Sequence, residues 1–229
     1  MVVAIVVRIV RIAVYGVRSG ESSLKLSDLL IATGNAGKLR EIRALLSDLP
    51  IRLLSLADFP TIEEVAEIGS TFAENAALKA LGYARQAGVL TLADDSGLEV
   101  DALGRAPGVR SARYLSEHAS YAERMNALLA AVKDLKDEAR SARFVCALAM
   151  VSNNQKMVYT TEAKCEGRLA HAPRGSGGFG YDPIFIPDGF TQTFGELPAD
   201  VKNGISHRGR ALAEARKFLA SLTATSAAG

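Results

Sequence analysis

Residues 29–46 read LLIATGNAGKLREIRALL. The apolar run 29–32 is too short for a helix and is bounded by turn formers, so it predicts a buried strand. TGNAG at 33–37 breaks the pattern with two glycines and an asparagine, the residues that tolerate positive φ. From Lys38 onward Leu39, Ile42, Leu45 and Leu46 recur at helical spacing. A strand, a glycine-rich turn and a helix in that order leave N–H groups unpaired at the helix start. Such a corner suits an anion, and Lys38 adds a full positive charge. The GxxxxGK[ST] spacing of a Walker loop is absent. A plain turn capped by Asn35 would use the same residues, so the corner gains meaning only from the rest of the chain.

The chain has 229 residues, 48% of them apolar, enough for a substantial core in one large domain or two small lobes. Its net charge of +2 is concentrated at the start, where Arg8, Arg11, Arg18 and Lys25 face only Glu21. The remainder is close to neutral, which argues against a broad nucleic-acid or membrane surface. Cys146 and Cys165 stand in no metal-like spacing and read as small packed hydrophobes in a reducing, cytoplasmic setting. Three histidines without a His/Cys cluster speak against zinc. The apolar leader is interrupted by Arg8 and Arg11 and has neither the length of a membrane span nor the layout of a secretory signal. Residues 1–27 are therefore read as an extension outside the fold, 28–222 as the folded domain and 223–229 as a frayed tail.

Along that domain, residues 51–55 predict a second strand, and 57–70 an exposed acidic loop. Thr71 and Glu74 have the spacing of a capping box, opening a helix with an alanine face (Ala76, Ala77, Ala80, Ala84) that stops at Gly88. Residues 89–93 predict a buried strand running into Asp94-Asp95-Ser96-Gly97, with another short strand at 98–102. Ser120 and Glu123 repeat the capping spacing. Residues 142–151 and 157–165 flank SNNQ as a hairpin, 166–180 reads as loop, 181–187 as extended, and Ser206 caps a last helix. The fold class is α/β, with a mixed sheet and flanking helices.

Asp94 and Asp95 at a strand end suit a hard cation and water activation, although alternation points successive side chains to opposite faces. Taken alone, DDSG is also a common turn. Glu63, Glu64 and Glu67 are further oxygen donors, at least two of them solvated. Phe179 stands in a glycine-rich run fit to present a ring to a nucleobase. Asp182 precedes a proline and is expected extended. Lys202, His207 and Arg208 are cationic or hydrogen-bonding groups near a helix start, where cations oppose the helix dipole. Arg113, Lys164, Arg168 and His171 read as surface charges, and Ser96 has no relay that would make it a nucleophile.

In order, TGNAGK, GSTFAENA, ADDSGLEVDALG, APGVRSARY, GGFGYDPIF and ISHRGRAL resemble the inosine triphosphate pyrophosphatase family over about residues 28–220. The resemblance implies a two-lobed α/β fold around a cleft, a homodimer, and Mg²⁺-dependent cleavage of ITP, dITP and XTP between the α and β phosphates. It implies that Thr33, Gly34, Asn35, Ala36, Gly37 and Lys38 hold the triphosphate. Asp95 is then the general base and a metal ligand, and Ser96 touches substrate. Phe179, Gly180, Tyr181 and Asp182 line the base and sugar pocket, completed by Lys202, His207 and Arg208, the last two reading the 6-oxo edge. The family's metal-binding Glu falls at Ala66, and Glu67 is taken as its substitute; Arg105 stands where the family usually has Gly. The alternatives are a related pyrophosphatase with another base preference, such as the Maf-like group, and a nucleotide sensor without turnover.

Overall fold

The computed structural model describes the backbone of residues 10–14 and 27–227, with side chains from 27 to 223. In chain order the elements are β1 (Val10–Val14), β2 (Asp28–Ala32), α1 (Ala36–Leu46), β3 (Arg52–Ser55), α2 (Phe72–Ala87) and β4 (Leu90–Val100). They continue with α3 (Tyr121–Ala131), β5 (Ser141–Val151), β6 (Met157–Leu169), β7 (Phe185–Pro187), α4 (Ala199–Ile205) and α5 (His207–Ala227). The strands form one mixed sheet in the order β1-β6-β5-β4-β2-β3, with β7 also on β6. The α/β expectation therefore holds. Among the described residues no helix is long and apolar enough to cross a membrane.

The predicted corner forms as read: Asn35 is extended and its side chain accepts from the Lys38 N–H, capping α1. Both capping boxes are present, at Thr71/Glu74 and Ser120/Glu123, and Gly88 ends α2 in the left-handed conformation at φ 70°. Ala76, Ala80 and Ala84 of α2 are fully buried against Ala93, Ala147 and Ala149, so the alanine face does bring helix and sheet close.

The largest departure lies in the middle of the sheet. Residues 89–102 are not two strands around a turn. β4 runs unbroken through Asp94 and Asp95, paired with β5 from Thr91↔Val151 to Val100↔Ala142. What stops is the other neighbour: β2 pairs with β4 only as far as Ala32↔Ala93. A cleft opens there, at the carboxyl edge of the parallel strands, where ligands gather in α/β sheets. Beyond it, Leu98, Val100, Phe144 and Leu169 join α3 and Phe194 in a second core, distinct from those packed under α1, α2 and α5.

Smaller corrections follow from pairing. β6 extends to Leu169 because β7 pairs with Gly167, Arg168 and Leu169, so strand replaces the loop expected from 166. Of residues 181–187, Asp182–Ile184 form a 3₁₀ turn and only Phe185–Pro187 are strand. Asp182 is thus not extended, because its carboxylate closes the turn onto the Phe179 N–H at 2.7 Å. Val10–Val14 belong to the sheet, antiparallel to β6, whereas residues 1–27 were read as outside the fold. Residues 1–9 and 15–26 of that extension lie outside the described residues. α5 continues to Ala227, past the expected fraying point at Thr223.

Arg140 is 1% exposed and donates to the Val132, Leu169 and Ala170 carbonyls at 2.6, 3.0 and 2.7 Å, closing the end of α3 onto β6. Arg140→Met removes all three of these bonds, the Val132 carbonyl keeping only the Leu135 N–H at 3.1 Å. At roughly 1–3 kcal/mol per unsatisfied group, it is expected to lower stability by about 3 kcal/mol in urea unfolding. A loss under about 1 kcal/mol would contradict this role.

Candidate active site

Asp94 and Asp95 begin where β4 loses β2, and their side chains leave the strand on opposite faces. Asp94 is 1% exposed. Its Oδ1 accepts from Lys38 Nζ at 2.7 Å and Ser96 Oγ at 2.8 Å. Its Oδ2 accepts from Arg208 Nε at 2.8 Å and lies 3.3 Å from Cys146 Sγ. Burial works to raise its pKa, but the Arg208 and Lys38 charges outweigh burial and hold it well below the usual carboxylate range. Cys146 is therefore not simply a packed hydrophobe: its thiol touches an ionised carboxylate, and burial with that charge pushes its pKa well up.

Asp95 faces α2. Its Oδ1 lies 3.3 Å from Lys79 Nζ, which also donates to Glu67 Oε1 at 2.7 Å and to the Asp94 carbonyl at 2.8 Å. Burial, together with the Glu67 charge, raises Asp95 against the opposing pull of Lys79 and Lys38. Asp95 Oδ2 and Asn75 Nδ2 are both buried and make no hydrogen bond of good geometry, although the Asn75 amide is near enough to Asp95 to act against the upward shift. The acidic loop reaches this place because α2 holds it along its length. Gln86 bonds Glu63, the Tyr83 hydroxyl accepts from Val65 N, and Asn75 Oδ1 accepts from Gly69 N. Gly82 permits the approach, since a Cβ there would lie 2.7 Å from Val65. Ala66 and Glu63 are exposed, while Glu67 turns in. Burial raises Glu67, but Lys79, Lys38 and Arg113 outweigh it and the net direction is down. Arg113, read as a surface charge, meets Glu67 Oε2 at 3.4 Å; the remote exposed pair His171–Asp137 remains on the surface.

One cleft of about 380 Å³ is lined by Thr33, Gly34, Asn35, Lys38, Glu67, Asp95, Ser96, Phe179, Gly180, Tyr181, Asp182, Lys202, His207 and Arg208. Of the residues the sequence put at the site, Ala36 and Gly37 do not line it. Gly37 lies under the Phe179 ring, where a Cβ would come within 2.6 Å of the ring carbons. Tyr181 is almost wholly buried, its hydroxyl bonded to the Ser111 carbonyl at 2.8 Å, so it braces the pocket wall. His207 is stacked on Phe144, ring centroids 4.7 Å apart, and its Nδ1 has no partner. Its burial beside Arg208 and Lys202 pushes its pKa well below 6.5. Lys202 Nζ lies 4.9 Å from the Phe179 centroid and bonds Asp182 Oδ2 at 2.5 Å.

Sequence reasoning missed Lys79, Asn75, Glu41, Tyr121 and Phe144. Glu41, three residues after Lys38 on α1, had a readable signal in its helical spacing. Lys79 had none, because a lysine in an alanine-rich helix looks like a solvated charge.

A model described as the Ham1 family matches residues 29–218. The chain belongs to the Ham1 family. It is 48% identical over 190 residues to the dITP/XTP pyrophosphatase of Streptomyces coelicolor, covering 81% of this chain and 94% of that protein. With the Geobacter sulfurreducens protein of the same description the identity is 50% over 188 residues, covering 82% and 94%. A solved HAM1 protein from Coxiella burnetii superposes with a TM-score of 0.78 at 41% identity, covering 85% of this chain and 99% of that one. Fold and family therefore agree with the resemblance read from the motifs.

His207 makes a pH prediction. The unfolded chain takes up a proton at this residue below about pH 6.5, whereas the folded chain resists it. Its contribution to stability is thus full above 6.5 and declines as pH falls, by at most about 1.4 kcal/mol per pH unit. Urea unfolding of the native chain and His207→Gln between pH 7 and 5 should show the steeper decline in the native chain; parallel curves would refute it.

Proposed function

We propose that this chain hydrolyses the non-standard purine nucleoside triphosphates ITP, dITP and XTP to the nucleoside monophosphate and pyrophosphate, clearing them from the nucleotide pool. One observation carries the reading: a single cleft joins Asp95, with its unpartnered buried oxygen, to Lys38 beside a helix start and to the Phe179–Asp182 wall. The relatives named as dITP/XTP pyrophosphatases support the substrate class.

Magnesium belongs to the same reading, and the donors present fit it. Glu67 and Asp95 are drawn toward one point by Lys79, and Asp95 Oδ2 has a free lone pair. Among the described residues no third acidic or imidazole group joins them. Mg²⁺ is commonly held by one or two carboxylates with substrate phosphates and waters completing the shell. When bound, the ion supplies charge neutralisation on the phosphate oxygens. Asp95 accepts the proton of the water that attacks the α-phosphorus. Lys38 spends one N–H on Asp94 and keeps two for the phosphates, next to the unpaired N–H groups of the α1 start.

At the other end Phe179 offers a flat apolar face to the purine. Arg208 carries five N–H donors and uses three, on Asp94, Glu41 and Ser96, leaving two for oxo groups. An adenine amino group would face those donors unmatched, at roughly 1–3 kcal/mol per lost bond. A homodimer, on the strength of the resemblance, and a cytoplasmic location, on the two free buried cysteines, complete the proposal.

Pyrophosphate release with Mg²⁺ on dITP, XTP, dATP and dTTP tests it. Turnover of dITP and XTP is expected on the order of 10²-fold above the other two. Equal turnover of dTTP would reject the base assignment, and a folded chain inert on all four would reject the activity. Asp95→Asn is expected to lower kcat on dITP by about 10³-fold while calorimetry still detects dITP binding. Unchanged turnover in that variant would remove Asp95 from the base role.

A further inference from the structure

Glu41 is a carboxylate that the reaction as described leaves unused. It is on α1, one turn beyond Lys38, with its side chain 14% exposed and both oxygens engaged. Oε1 meets Lys202 Nζ of α4 at 2.7 Å, and Oε2 meets Arg208 Nη1 of α5 at 2.6 Å. These are two of the cations placed at the base end of the cleft. The helix that begins the phosphate corner therefore grips, through one side chain, the two groups that face the purine.

Neither cation is held there by Glu41 alone. Lys202 is also fixed by Asp182 at 2.5 Å, and Arg208 by Asp94 and Ser96. The other partners come from β4 and from the turn before β7, each holding one of Lys202 and Arg208; Glu41 is the group that holds both. A lysine ammonium is a point charge on a flexible stem, and one anchor leaves it free to pivot about that contact; a second anchor fixes its direction. Arg208 Nη1 is likewise aimed by Glu41, and its remaining N–H is one of the two donors left for an oxo group. Three cations (Lys38, Lys202, Arg208) alternate with three carboxylates (Asp94, Asp182, Glu41) in this cluster, so loss of Glu41 also leaves one unmatched positive charge.

We propose that Glu41 is a positioning residue for purine discrimination: by fixing Lys202 and Arg208 relative to one another and to α1, it aims their free N–H donors at the oxo edge of the base. This rests on the proposed pyrophosphatase activity. Glu41 does not line the cleft that holds Asp95, and both its oxygens are taken by Lys202 and Arg208, so its loss acts on recognition more than on the chemical step.

The experiment is steady-state kinetics of the native chain, Glu41→Gln, Glu41→Asp and, as a control on the outer face of α1, Arg43→Gln, each with dITP and dATP. Glu41→Gln keeps the side chain's length and removes its charge; it is expected to raise KM for dITP about tenfold and to cut the dITP-over-dATP ratio of kcat/KM about tenfold. Its kcat on dITP should stay within about threefold. Glu41→Asp keeps the charge one methylene short of spanning both cations and should fall between; it gives the same readout if the glutamine variant does not fold. Arg43→Gln should match the native chain. A variant with lowered Tm but an unchanged KM and ratio would show Glu41 to be merely structural and overturn the proposal. Absence of dITP turnover in the native chain would instead overturn the activity itself, and this inference with it.

Discussion

A carboxylate buried in the middle of a central strand is the constraint from which the rest of this site follows. Asp94 stands between Ala93 and Asp95 on β4, 1% exposed and held ionised. Leaving such a charge without partners costs on the order of 3–5 kcal/mol, a large part of a domain's net stability. The chain answers with Lys38 from the start of α1 and Arg208 from the start of α5, one on each oxygen. Those cations then bring in Glu41, which brings in Lys202, which brings in Asp182. A single run of alternating charges crosses the cleft from the phosphate corner to the glycine-rich wall. Fold and site share these residues, so the geometry that recognises substrate is set by the same pairings that make the sheet tolerable.

β4 divides the labour between its faces. Asp94 faces the cations that assemble the cleft, and Asp95, one residue on, faces Lys79, Asn75 and Glu67 on the α2 side. The two aspartates have opposite pKa directions because their surroundings differ: two charges in direct contact outweigh burial at Asp94, whereas burial beside another carboxylate dominates at Asp95. One is thereby fixed as a structural anion. The other, on the wall of the cleft, keeps a buried and unpartnered oxygen.

Local chemistry made much of this readable beforehand. Asn35, Thr71 and Ser120 cap helices where their spacing to the following residues said they would, and the alanine face of α2 demanded a close neighbour. Asp94-Asp95 misled, since two adjacent carboxylates followed by Ser-Gly look like a turn; only cations from positions 38, 79 and 208 let a strand carry them. Lys79 was invisible for the complementary reason, and Glu41 showed only as a spacing of three from Lys38. On a helix each resembles a solvated charge until distant elements bury it. Val10–Val14 were set aside with a leader that fits neither a membrane span nor a secretory signal, yet pair with β6, a contact that depends on a free sheet edge more than on local pattern. Asp182 followed its carboxylate's bonds to Phe179 and Lys202 and not the preference of a residue before proline.

The central claim is that this arrangement presents the innermost phosphate to water at Asp95. Hydrolysis of dITP in ¹⁸O-labelled water, followed by mass spectrometry of both products, tests it directly. The account predicts one labelled oxygen in the nucleoside monophosphate and none in the pyrophosphate. Label in the pyrophosphate, or release of single phosphates, would place the attack at another phosphorus and contradict it.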